Sequence, residues 1–157
     1  FRTGDAGYIK NGELFLTDRI KDLFKTSNGK YIAPQLVESL ILVDKYIDQV
    51  AVIANERKFV SALIVPEFRL VEDWAKEHGI EFCSREDLCA NPKVNKMILD
   101  RVKTLQQQLA HYEQVKRITL IPHHFSMESG ELTNTLKIRR PVVYKNYKNE
   151  IDKMYEE

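Results

Sequence analysis

The chain has 157 residues, 43% of them hydrophobic and 30% charged, with a formal net charge of +1. That supports one or at most two small domains with a hydrophobic core, and so balanced a charge gives no reason to expect nucleic acid as a partner. No run of ~18 apolar residues exists to span a bilayer and no secretory signal opens the chain, so a cytoplasmic protein is expected, with peripheral contact at a membrane surface left open.

In chain order, residues 7–16 (GYIKNGELFL) predict a β-hairpin, because Asn11-Gly12 supplies a two-residue turn that tolerates positive φ. Residues 23–26 and 30–32 suit two short strands flanking Ser27-Asn28-Gly29. Pro34 then opens a helix to about Asp44, with Leu36, Val37, Leu40 and Ile41 at helical spacing and Gln35, Glu38 and Ser39 on the other face. Residues 49–54 (QVAVIA) and 59–65 (FVSALIV) read as an antiparallel hairpin around a polar turn. A helix over 67–78 stops at Gly79, and Ser84 with Glu86-Asp87 starts a short one. Pro92 begins a longer helix in which Val94, Met97, Ile98, Val102, Leu105, Leu109 and Tyr112 form one apolar stripe. Its cations, Lys93, Lys96, Arg101 and Lys103, are expected on a solvated face, and Trp74 in the core. Residues 115–121 (VKRITLI) alternate as a third strand, and Pro141 opens a terminal helix carrying Val143, Tyr147, Ile151 and Met154 on one side. No internal repeat is evident. The expected fold class is α+β: a short N-terminal hairpin, then a compact domain of about three strands packed with helices.

Three segments carry chemistry. The stretch 17–38, TDRIKDLFKTSNGKYIAPQLVE, gathers Arg19, Lys21, Lys25 and Lys30 about a turn that leads straight into a helix. Cations converging on a tight turn suit a phosphate or carboxylate, although a solvated lysine-rich loop reads equally well from charge alone. Phe1-Arg2-Thr3-Gly4-Asp5 ends on a carboxylate able to accept from two neighbouring hydroxyls, yet such a tripeptide taken alone is usually a turn. Gly130-Glu131-Leu132-Thr133-Asn134-Thr135-Leu136-Lys137 ends on a lysine that in isolation would be solvated surface. His123-His124 and the Cys83/Cys89 pair lack metal-ligand spacing, so no metal site is expected and the thiols are expected free.

Taken in order, these segments resemble the motifs of the acyl-adenylate-forming enzymes, and in detail those of the long-chain fatty-acid CoA ligases. The resemblance runs from Asp5 to Arg140. It implies that Asp5 and Arg19 contact the nucleotide ribose and that Lys21 is the hinge of a mobile domain. It further implies that the loop holding Lys25, Gly29, Lys30 and Tyr31 serves a thioester-forming pose along the CoA channel, and that Lys137 is the lysine required for adenylation. Asp18 stands where most members have glycine, the Lys25-to-Gly29 interval is one residue longer than in coumarate ligases or luciferases, and Leu136 replaces a glycine; all three fit the long-chain subgroup. Residues 1–20 would then be the tail of a large N-terminal domain and 21–157 the C-terminal lid. The start at Phe1, without methionine, fits a piece of a longer protein.

The implied reaction joins a long-chain fatty acid to ATP, giving acyl-AMP and pyrophosphate, and then to CoA, with Mg2+ and most of the ATP site held by the missing domain. The fragment alone is expected to be inert. Arg139 and Arg140 suit either the CoA phosphates or a helix-entry surface. The rival expectations are an acyl-ACP synthetase or fatty acyl-AMP ligase of the same superfamily, and a non-enzymatic α+β binding module.

Overall fold

The computed structural model describes the backbone of residues 5–10 and 13–19, and backbone and side chains of residues 23–156. Strands β1 (Asp5–Lys10) and β2 (Glu13–Arg19) pair antiparallel, with Lys10 opposite Glu13; the Asn11-Gly12 turn expected between them lies outside the described residues. Two-residue strands β3 (Phe24–Lys25) and β4 (Tyr31–Ile32) form a second small ladder and lead into α1 (Pro34–Ile41). The main sheet comprises β5 (Ile47–Ile53), β6 (Val60–Pro66) and β7 (Val115–Leu120), in that spatial order. Between β6 and β7 run α2 (Phe68–Glu77), α3 (Arg85–Ala90) and α4 (Pro92–Leu105), and after β7 come α5 (Arg140–Asn146) and α6 (Lys148–Met154). The mixed α+β class is as expected.

β6 is buried at all of its positions, because it is paired on both edges and covered on both faces, which suits its unbroken apolar sequence. It pairs antiparallel with β5 and parallel with β7, the parallel step requiring the long helical crossover through α2, α3 and α4. The helix starts follow local chemistry. Ser84 Oγ accepts from Asp87 N at 3.2 Å, and Asn91 Oδ1 accepts from Lys93 N at 2.9 Å ahead of Pro92. Val94, Ile98 and Val102 of α4 are buried against the sheet.

Five expectations need correction. Glu38, assigned to the polar face of α1, is buried at 7% exposure, while Leu36 is exposed; a charged partner far along the chain overrides the local pattern. The stripe of α4 stops at Leu105, and Tyr112 is exposed in a short 3-10 turn. The terminal helix is two helices, because Tyr147 at φ −113° and ψ 25° leaves helical geometry between α5 and α6. Arg101 is not simply solvated: its Nε donates to Asp44 Oδ2 at 2.7 Å and its guanidinium lies 4.7 Å from the Tyr46 ring. Trp74 is half-buried rather than central, stacked at 4.3 Å on His78.

Two glutamine amides substitute for strand neighbours. Gln106 Nε2 donates to Val115 O at 2.8 Å and its Oε1 accepts from Val115 N at 2.7 Å, wholly buried, which fixes the start of β7 to the end of α4. Gln49 does the same for Phe125, accepting at 2.6 Å and donating at 3.1 Å. Gln106→Leu strips both bonds from a buried peptide, so an unfolding free energy lower by about 2–4 kcal/mol is expected from denaturant titration of the chain. A loss below ~1 kcal/mol would mean that water or backbone replaces the amide.

Candidate functional site

Lys137 sits in a tight hairpin. The backbone pairs Leu132 with Ile138, and Arg139 N donates to Glu131 O at 2.7 Å below that pair. Thr133 N donates to Lys137 O at 2.8 Å, Leu136 N to Thr133 O at 2.8 Å, and Lys137 N to Thr133 Oγ1 at 3.1 Å. This is a turn closed by a residue in the left-handed region, here Leu136 at φ +62°. The lysine's backbone is therefore fixed while its side chain faces solvent. A leucine at positive φ is strained, and this one is 66% exposed, so burial returns little. Leu136→Gly should raise the stability of the chain by about 1 kcal/mol, after allowing for the greater freedom of glycine when unfolded. Thermal melts of the two chains check this; an unchanged or lower Tm counts against strain at this position.

The loop from Lys25 to Tyr31 uses the same turn. Thr26 N donates to Lys30 O at 2.8 Å, Gly29 N to Thr26 O at 2.9 Å, and Lys30 N to Thr26 Oγ1 at 3.2 Å, with Gly29 at φ +81°. No atom lies within 4 Å of a Cβ built on Gly29, so conformation rather than space calls for glycine there. Thr26-Ser27-Asn28-Gly29-Lys30 and Thr133-Asn134-Thr135-Leu136-Lys137 are thus one five-residue device used twice. The expectation of no internal repeat missed it, although the threonine-to-lysine spacing was there to read. The loop is tied to the β5–β6 turn: Ser27 N donates to Arg57 O at 3.0 Å and Glu56 N to Lys25 O at 2.8 Å. Lys25 Nζ lies 5.9 Å from the Tyr31 ring and Lys30 Nζ 5.6 Å from that of Tyr112, so both ammonium groups stand over aromatic faces at the surface.

The β1–β2 register sets Asp5 opposite Arg19, which brings the two expected ribose contacts to one end of one hairpin. Lys21 lies outside the described residues. His124 Nε2 meets Asp48 Oδ2 at 2.6 Å, and among the described residues no group of three or more His, Cys, Asp or Glu is placed to hold a metal ion. Also among them, no helix is long and apolar enough to cross a membrane.

Sequence reasoning missed the pair formed by Arg140 and Glu38. Arg140 Nη2 donates to Glu38 Oε1, its Nη1 lies 3.5 Å from Val52 O, and its guanidinium is 5.1 Å from the Phe24 ring. This holds the Arg140 side chain among α1, β3 and β5 at the entry of α5, largely buried rather than on a solvated helix-entry surface. Burial pushes the phenols of Tyr147 and Tyr155 up to about 12 and that of Tyr144 in the same direction. For Tyr147 the carboxylate of Glu131 adds to the effect, whereas for Tyr155 the Ser61 hydroxyl opposes it. Burial, reinforced by Glu86, takes the Cys89 thiol up to about 12 as well.

An unfolded tyrosine ionises near ~10, so the folded chain holds these protons more tightly. The stability these tyrosines contribute is complete below about pH 10 and is lost as pH rises toward about 12. An alkaline transition is expected in which tyrosinate absorbance and loss of circular dichroism coincide. Buried Cys89 should resist thiol reagents under native conditions while exposed Cys83 reacts. Tyrosine ionisation completed well before unfolding would contradict the burial argument.

The sequence profile of the family described as "AMP-binding enzyme C-terminal domain" matches residues 21–157. The chain belongs to that family. Its similarity to curated relatives extends over nearly the whole chain: it is 38% identical over 157 residues to human long-chain-fatty-acid–CoA ligase 1, covering 98% of this chain and 22% of that protein. It is 33% identical to the peroxisomal long chain acyl-CoA synthetase 7 of Arabidopsis thaliana, covering 99% of this chain and 23% of the relative. The chain therefore spans less than a quarter of the length of these proteins. Among solved structures, the adenylation domain of a carboxylate reductase from Mycobacterium chelonae superposes with a TM-score of 0.78 at 23% identity, over 99% of this chain and 23% of that one. A fatty acyl CoA synthetase from Mycobacterium tuberculosis gives 0.54 at 22% identity, over 96% of this chain and 24% of that one. These structural likenesses place the fold of the AMP-binding C-terminal domain, and the sequence relatives carry the closer comparison.

Proposed function

We propose that this chain is the mobile C-terminal part of a long-chain fatty-acid CoA ligase, with residues 1–20 belonging to the large domain and 21–157 forming the lid. The observation that carries the reading is Lys137, exposed on a backbone-fixed hairpin, in a chain similar over nearly all its length to proteins named as long-chain acyl-CoA ligases. Fatty acid and ATP would give acyl-AMP and pyrophosphate with Lys137 in the site. The lid would then turn about Lys21 and bring the Lys25 to Tyr31 loop to the channel through which the CoA thiol attacks. Asp5 and Arg19 would hold the ribose, where a carboxylate and a guanidinium fork suit paired hydroxyls. The phosphate loop, the acyl tunnel and the Mg2+ ligands lie outside this chain, so the isolated chain is inert by itself. Reuse of one mobile domain for two steps is gating by a lid.

The test uses the full-length protein. Long-chain fatty acids should drive exchange of pyrophosphate into ATP, and added CoA should yield acyl-CoA. Transfer to a carrier protein but not to CoA would favour an acyl-ACP synthetase instead. Failure of exchange with every fatty acid would overturn the reading.

A further inference from the structure

Arg140 lies three residues after Lys137, and the intervening chain has little freedom. Ile138 is bridged to Leu132, and Arg139 N is bonded to Glu131 O. The guanidinium of Arg140 then runs inward, to the Glu38 carboxylate on α1, the Val52 carbonyl on β5 and the face of Phe24 on β3. Three separate elements thus grip the foot of the Lys137 hairpin through one side chain.

The other working loop is held differently. The loop at Lys25 to Tyr31 is fixed by its own ladder and by bonds from Ser27 and to Lys25 across to the β5–β6 turn. None of those bonds passes through the Arg140 guanidinium. The two anchors touch at Phe24, whose backbone belongs to that ladder and whose ring lies beneath Arg140, but the bonds that close the Lys25 to Tyr31 loop are made without the guanidinium.

We propose that Arg140 is a positioning residue that serves adenylation far more than thioester formation, fixing the height and direction from which Lys137 enters the active site. The proposal rests on the reading of Lys137 given above. A fork that bonds a carboxylate and lies on a ring holds an angle as well as a distance, which a lysine in its place does not. Misplacement of a reacting group by ~1 Å costs on the order of 100-fold in rate, so loosening this anchor should show in the chemical step.

The experiment compares Arg140→Lys, Glu38→Gln and Lys137→Ala in the full-length enzyme. The half-reactions are measured separately, alongside a thermal melt. In Arg140→Lys, kcat for adenylation should fall by ~100-fold with KM for ATP and fatty acid changed by less than ~3-fold. Thioester formation from supplied acyl-AMP should stay within ~3-fold of the parent. Should Arg140→Lys not fold, Glu38→Gln, which keeps the volume and one carbonyl acceptor, should show the same split in milder form. Equal loss in both half-reactions, in whichever variant folds, would reduce Arg140 to a structural residue and overturn the proposal. Intact adenylation in Arg140→Lys beside a dead Lys137→Ala overturns the positioning role and leaves Lys137 standing. Intact adenylation in Lys137→Ala would remove the lysine assignment itself, and the role of Arg140 with it.

Discussion

Lys137→Ala in the full-length enzyme is expected to cut adenylation by at least ~100-fold, about 3 kcal/mol or more of barrier, while thioester formation from supplied acyl-AMP is retained. The reason lies in the charges that must meet. A fatty carboxylate attacks the α-phosphate of ATP, so two anions come within bonding distance and further negative charge develops on the phosphoryl oxygens. An ammonium delivered between them offsets the repulsion and stabilises the transition state, more strongly where water is excluded. The hairpin matters because it holds the lysine backbone by two bonds to Thr133, leaving the side chain as the main freedom to be fixed when the domain closes. Pyrophosphate exchange reads the first half-reaction and thiol consumption reads the second. Equal loss of both would contradict separate poses for the two loops.

Glu38→Ala is expected to lower the unfolding free energy of the chain by about 3–5 kcal/mol, which for a domain of this size moves Tm by roughly 10 °C or more. Both members of the Arg140–Glu38 pair are largely buried, with side-chain exposures of 18% and 9%. Removing the carboxylate leaves a guanidinium inside the protein among Phe24, Val52 and α1, and a buried cation without its counter-charge is far costlier than the pair is worth. Replacing both partners with apolar side chains should recover part of the loss, since neither charge then needs solvation. Chemical denaturation of the single and double variants decides it. A single variant costing under ~1 kcal/mol would mean that the site relaxes to admit water.

Legibility from sequence followed how local the determining forces are. The β5–β6 hairpin was legible because two β-branched runs flank a polar turn, and α3 and α4 because Ser84 and Asn91–Pro92 announce their starts within a few residues. Glu38 was misread because helical periodicity treats any carboxylate as solvent-facing, and its partner stands 102 residues away. The terminal break at Tyr147 carries no proline or glycine to mark it. For the candidate site, Lys137 and the Lys25 to Tyr31 loop were legible as motifs, whereas the pairing of Asp5 with Arg19 depends on a register shift between Ala6 and Gly7 that the hairpin pattern does not announce. The anchor at Arg140 was not legible either, since nothing in residues 138–141 shows that a guanidinium turns inward.

The repeated five-residue turn has a consequence for redesign. Both copies begin on a threonine whose hydroxyl accepts from the amide of the fifth residue, and both end on lysine after a residue at positive φ. Their closing bonds match to within 0.1 Å, so the backbones are interchangeable cassettes. Ser-Asn-Gly transplanted into positions 134–136 keeps Thr133 and Lys137 in place and relieves the left-handed leucine. The lid could then be shuffled loop by loop while its two lysines stay where the fold presents them.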